Sequence, residues 1–306
     1  MLRYLAARLL RALLTIFLVV TFAFFVLHLS GDPAMMILSA DAPPESIAAF
    51  RAAWGLDRPL WVQYLNYIAH ALTGDLGNSM RDGRPALDLV LERVPATLSI
   101  TLPAFALKLG IGIPAGIYAA LHRNSTADRL TMLLSVAGFT VPSFVLALVL
   151  VLVFSVQLGW LPSAGSDQAT SVILPIVTLG VAGAAILARF TRSAMLDTLR
   201  EDYVRTARAK GLSESRVLFG HALRNALIPV ATVAGLIAGF LIAGAVIIES
   251  VFRLPGAGQL VYDSINNRDL VVIKNVVILF TLLVLLVNLL VDLAYVLLDP
   301  RPRVSA

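Results

Sequence analysis

The chain has 306 residues, 58% of them hydrophobic and only 14% charged, with a mean hydropathy of +0.86; soluble domains carry about 25% charged residues, so the composition describes an integral membrane protein. Its 24 Lys plus Arg exceed its 19 Asp plus Glu, and with no basic and aromatic binding surface the excess fits the positive-inside rule rather than nucleic acid. Zero cysteines exclude disulfides, thiol catalysis and cysteine-based metal sites, and the four scattered histidines have no zinc-ligand spacing.

The first apolar run, residues 12–29, is just long enough for a bilayer core that needs roughly 20 residues. Arg3, Arg8 and Arg11 precede it. Because the run outlasts a signal-peptide core and ends in His28-Leu29-Ser30-Gly31-Asp32 without a small-x-small cleavage site, it reads as a retained helix. Residues 30–93 form a polar, net acidic stretch in which Trp61, Tyr64, Leu65, Ile68 and Leu72 recur at helical spacing. The spacing predicts an amphipathic helix from Pro59 to Thr73, a structural support before it is a docking site.

Further spans are expected at residues 94–121, 130–158, 171–188, 225–248 and 275–291, which makes six with the first and an all-α polytopic bundle. The chain thus reads as an N-terminus and first span (1–29), an extracytoplasmic loop (30–93) and a five-helix core (94–306). Pro103, Pro114 and Pro142 fall inside spans, which a membrane bundle tolerates. Gly110, Gly112, Gly116, Gly235, Gly239 and Gly244 are expected at close helix contacts. With the N-terminus in the cytosol, the connections place fifteen Lys and Arg inside against eight outside. Both termini are therefore expected to be cytoplasmic.

Residues 189–229 are a charged island between two apolar segments, holding eight of the 24 basic residues. The island is expected to continue as one helix to Gly211, with Glu201 four residues before Arg205 on the same face. Gly211 suits a left-handed stop, Ser213 an N-cap, and Glu214 the first turn of a short helix running towards Arg224.

Asp202-Tyr203-Val204-Arg205-Thr206-Ala207-Arg208-Ala209-Lys210-Gly211-Leu212, followed by His221-Ala222-Leu223-Arg224-Asn225-Ala226-Leu227-Ile228-Pro229, resembles the cytoplasmic signature loop of ABC-importer permeases. More narrowly it is similar to the dipeptide, oligopeptide and nickel branch. Gly74-Asp75-Leu76-Gly77, Pro95-Ala96-Thr97-Leu98, Glu249-Ser250-Val251-Phe252 and Asn288-Leu289-Leu290-Val291-Asp292 extend the likeness along the chain. The resemblance implies a type I importer permease in the bacterial inner membrane, paired with a second, related permease. It also implies two cytosolic ATPase subunits and an extracytoplasmic binding protein as partners, with peptides as substrate and nickel complexes or glutathione-like solutes as alternatives. By match to the motif, Arg205, Thr206, Ala207, Lys210, Gly211, Leu212, Ser213, Arg216 and Val217 are the residues expected to enter an ATPase groove. Arg205-Thr206-Ala207 stands where the broader signature has Glu-Ala-Ala.

No Gly-x-x-x-x-Gly-Lys-Ser/Thr loop is present, so this chain is not expected to be an enzyme or to bind a cofactor; ATP and Mg would be used by the partner subunits. Charges inside spans are functional candidates by default. Lys108, Asn288 and Asp292 are candidates for the translocation path, with a structural Lys108–Asp292 pair as the competing role. Glu249 is a candidate for the binding-protein side. A proton-coupled transporter is the rival class, and it would need more buried carboxylates than these.

Overall fold

A computed structural model of the chain describes residues 2–29, 32–38 and 42–298. These residues are overwhelmingly helical, and an isolated Asn78–Pro85 bridge is the β pairing found among them. The chain divides into two compact units, Met1–Ala96 with Gly256–Leu283 and Thr97–Pro255 with Val284–Ala306.

The first unit contains α1 (Leu2–Leu29), α2 (Pro33–Leu38), α3 (Pro44–Ala53) and α4 (Leu60–Leu72), the start of α5 (Ala86–Leu121), α12 (Ala257–Asn266) and the start of α13 (Leu270–Leu298). The predicted amphipathic helix is α4, but its packing face differs from the expected stripe. Tyr64 and Tyr67 meet Phe24 with ring centroids 5.3 and 5.6 Å apart, and the Tyr64 and Thr21 hydroxyls share a 2.8 Å hydrogen bond. Trp61, Leu65 and Leu72 are exposed instead. Tyr64 packs here because its ring can be covered while its hydroxyl finds a polar partner.

The Gly74-Asp75-Leu76-Gly77 motif makes a turn with both glycines at positive φ, +82 and +81°. Asp75 accepts the Gly77 N–H at 3.0 Å and pairs with His70, and these bonds hold its carboxyl below the ordinary carboxylate range. The loop is clasped to the α12–α13 junction: Ser79 donates to Asp269, and Asn275 Nδ2 donates to the Leu76 carbonyl at 3.0 Å.

The second unit is a bundle around α8 (Ile173–Leu199), which packs against α6 (Thr126–Thr140), α7 (Ser143–Leu150) and α11 (Leu223–Phe252). Glycine sets how close α5 comes to α8. A Cβ on Gly116 would lie 2.4 Å from the Ala188 carbonyl oxygen, and one on Gly112 would lie 2.7 Å from that of Ala184. Gly180 and Gly183 on α8 reciprocate against Leu107 and Lys108, and Gly138 of α6 meets Ala185. Of the glycines expected at contacts, Gly235 abuts Val291 and Gly244 lies at ordinary distance from Leu179, whereas Gly110 and Gly239 face open space.

Among the described residues, four helices have the length and apolar character to cross a membrane, Ala86–Leu121, Ala169–Leu199, Glu214–Phe252 and Leu270–Val291, and α1 contributes the shorter apolar run Leu10–Val26. The single span expected over residues 130–158 is instead a pair, Thr126–Thr140 and Ser143–Gln157, bent by 103°. Val141 is extended (φ −79°, ψ 118°) before Pro142, as a residue preceding proline tends to be. Pro103 and Pro114 leave α5 continuous.

Gly116→Ala should lower the unfolding midpoint of the purified protein, by a cost of about 1–3 kcal/mol for an overpacked contact. Gly110→Ala, on an open face, should leave it within error.

Candidate functional site

The charged island departs from one continuous helix. α8 ends at Leu199, and Glu201 turns extended (φ −68°, ψ 147°) ahead of α9 (Asp202–Ala209). Arg205 accordingly pairs with Asp202, three residues back, rather than with Glu201. After α9 the Gly211 N–H donates to the Arg208 carbonyl at 2.9 Å and the Leu212 N–H to that of Ala207 at 3.4 Å. These are the two bonds of a Schellman ending. Gly211 sits at φ +76°, where a side chain would be strained.

Ser213 follows at the N-cap position, although its side chain makes no capping bond. The Arg208 guanidinium grips Glu214 with two bonds, 3.1 and 2.6 Å, across the turn. The short helix expected to end near Arg224 does not end there. α10 (Glu214–Arg216) passes through a π-helical stretch, Val217–Ala222, directly into α11. Asn225 Nδ2 donates to the Tyr203 hydroxyl at 2.8 Å, tying α9 to the base of α11.

Beneath this loop lies its own core: Val204, Ala207, Val217, Ala222 and Ala226 pack with Ala120 and Met195. Among the residues expected to enter a partner's groove, Arg205, Thr206, Lys210, Gly211, Ser213 and Arg216 are exposed and Leu212 is half-buried. Ala207 and Val217 are corrected. Both are buried, Val217 completely, because they lie on the apolar side of their helices and anchor the loop to the bundle. Phe219 is 62% exposed; two residues on from Val217, it points about 200° away in a helix. The sequence signal for it is the apolar trio Val217-Leu218-Phe219, of which Val217 is the one expected in the groove.

The polar residues within the bundle fall into three cases. Glu249 is fully buried and accepts a 2.6 Å hydrogen bond from the Thr97 hydroxyl. Its assignment to a binding-protein surface is therefore corrected: the carboxylate joins two of the quoted motifs, Pro95-Ala96-Thr97-Leu98 and Glu249-Ser250-Val251-Phe252, inside the bundle. Lys108 is 6% exposed, with its stem filling the space that a Gly183 side chain would occupy. Asn288 is exposed on α13, and the side chain of Asp292 lies outside the described residues, as does its pairing with Lys108.

The third case escaped the sequence reading. Asp128 of α6, 3% exposed, receives both Nε and Nη2 of Arg192 from α8, the latter at 2.7 Å, and accepts the Asn124 N–H at 2.8 Å. Ser125 caps the same helix by accepting the Asp128 N–H at 3.2 Å. The local cap Ser125-x-x-Asp128 is legible in the sequence. The distant arginine is not.

The family described as "Binding-protein-dependent transport system inner membrane component" matches residues 112–304, and its N-terminal companion family matches residues 1–101. The chain belongs to this family. The permease is 45% identical over 304 residues to the glutathione transport system permease protein GsiC of Escherichia coli K12, and 46% identical to that of Salmonella typhimurium LT2; the match covers 99% of both chains in each case. Among solved structures, the MetNI methionine ABC transporter in an inward facing conformation aligns with a TM-score of 0.58 and 22% identity. It covers 70% of the permease and 98% of the solved chain. An amino acid ABC transporter solved with histidines gives a TM-score of 0.53 at 15% identity, covering 68% and 93%. Both share the fold.

Asp128→Asn and Arg192→Gln should each destabilise the permease, Arg192→Gln by about 3–5 kcal/mol because it leaves the buried Asp128 alone, and Asp128→Asn by less because the half-buried Arg192 reaches solvent. The double variant should cost less than the sum in thermal or denaturant unfolding.

Proposed function

We propose that the permease is the translocation subunit of an ATP-driven importer that carries small peptides from an extracytoplasmic binding protein into the cytoplasm. It pairs with a second, related permease, and two cytosolic ATPase subunits supply ATP and Mg chemistry. Six crossings serve this role: α1, α5, the bent pair α6–α7, α8, the helix Glu214–Phe252, and α13. Both termini and the charged loop face the cytosol, by the excess of Lys and Arg in those connections.

The observation that carries this reading is the charged loop. Gly211 ends one helix and starts the next within three residues, leaving Arg205, Lys210 and Arg216 exposed over a packed floor of Val204, Ala207 and Val217. A basic edge held rigidly from below is suited to receive force from a partner, since a contact on a mobile loop would dissipate it. Phe219 adds an apolar knob beside that edge. The GsiC relatives favour a tripeptide-sized solute such as glutathione within the peptide class.

In vesicles containing the partner subunits, uptake should require ATP and survive collapse of the proton gradient; uptake that follows the proton gradient would point to the secondary-transporter class. Gly211→Val should cut uptake at least tenfold while ATP is still hydrolysed and the permease remains in the membrane, because the turn at φ +76° is lost. Normal uptake by that variant would remove the loop from the coupling role.

A further inference from the structure

Within the first unit, an open cavity of about 430 Å³ lies among α1, the end of α3, α4, the loop around Gly77 and the start of α13. Two of its lining groups are polar and without a counterpart of matching chemistry. Lys274, only 8% exposed, sits with its ammonium 4.9 Å from the Tyr67 ring centroid and 5.4 Å from that of Phe24. Among the described residues no carboxylate pairs with it. The Tyr67 hydroxyl is buried without a hydrogen-bond partner. Burial pushes that hydroxyl up to about 12, so it remains a proton donor at physiological pH.

The rings position the ammonium by cation–π attraction but provide no anion. A desolvated ammonium and an orphaned phenol on one wall are both costly until an acceptor arrives. The remaining titratable groups on the walls do not fill that role. Asp75 is largely exposed and committed to Gly77 and His70, while Arg58 adds positive rather than negative charge. Trp54 and Phe24 supply apolar wall, and Asn66 an amide. The volume lies in the range of roughly 300–1,000 Å³ typical of small-molecule sites.

We propose that this cavity is a binding site on the permease itself for a carboxylate-bearing solute of di- or tripeptide size, with Lys274 and Tyr67 donating to the carboxylate. Assignment of the solute as a peptide rests on the proposed function; the recognition of a carboxylate rests on the cavity alone. An ammonium and a phenol at one end, with aromatic wall beyond, select a solute that is anionic at one terminus and partly apolar in its body.

The test uses the permease assembled with its partner subunits in nanodiscs, without the binding protein, and equilibrium dialysis of radiolabelled tri-alanine. Wild type should bind saturably. Lys274→Met, or amidation of the peptide C-terminus, should weaken binding at least tenfold. Tyr67→Phe, which keeps the ring, should weaken it severalfold, and Lys274→Arg should retain it. Absence of binding by wild type, equal binding of the amide, or unchanged binding by Lys274→Met with a wild-type melting temperature would overturn the inference. ATP-driven uptake measured with the binding protein separates the two readings: uptake without cavity binding rejects only the site, and cavity binding without ATP-driven uptake rejects only the importer role.

Discussion

In the second unit α5 and α8 approach so closely that a carbonyl oxygen of one helix occupies the place of a side chain on the other. Gly112 and Gly116 permit it from one side, and Gly180 and Gly183 from the other. In hydrocarbon there is no hydrophobic force to press helices together, so dispersion over a close interface must do so. With α5 seated, α8 offers its other flanks to α6, α7 and α11, and two buried polar joints span the same bundle. Thr97–Glu249 links α5 to α11, and Asp128–Arg192 links α6 to α8.

The two joints differ in what reaches each carboxyl group. Asp128 meets a guanidinium in a two-point fork, the geometry in which a buried ion pair best offsets its desolvation. Glu249 is reached by the Thr97 hydroxyl and is enclosed completely. Both positions are therefore sensitive to conservative change, since an amide or a methyl group returns only part of the lost hydrogen bonding.

Much of this was legible in the sequence. Apolar run length located four of the six expected spans, Gly211 announced a left-handed stop, and the basic loop followed from charge segregation. Local signals failed where a distant surface decides. Nothing near Val217 says that Ala120 and Met195 will cover it while Phe219 remains outside. Helical spacing put Trp61 and Leu65 on the packing side of α4 together with Tyr64, but it is Tyr64 and Tyr67 that meet the rings of α1. Proline was ambiguous in the same way, since Pro142 breaks its span and Pro103 and Pro114 do not. The contact role of glycine was also only half readable: a missing side chain is visible in the sequence, but the helix that fills the space is not.

The helix that begins at Glu214 runs without interruption to Phe252. At 1.5 Å per residue, Glu214 and Glu249 stand about 50 Å apart on one rod. A tilt of about ten degrees around one end would carry the other through about 9 Å, on the order of two turns of helix. The exposed loop and the enclosed Thr97–Glu249 joint are thus opposite ends of a single lever arm, and motion applied at one reaches the other through covalent backbone rather than through a relay of contacts.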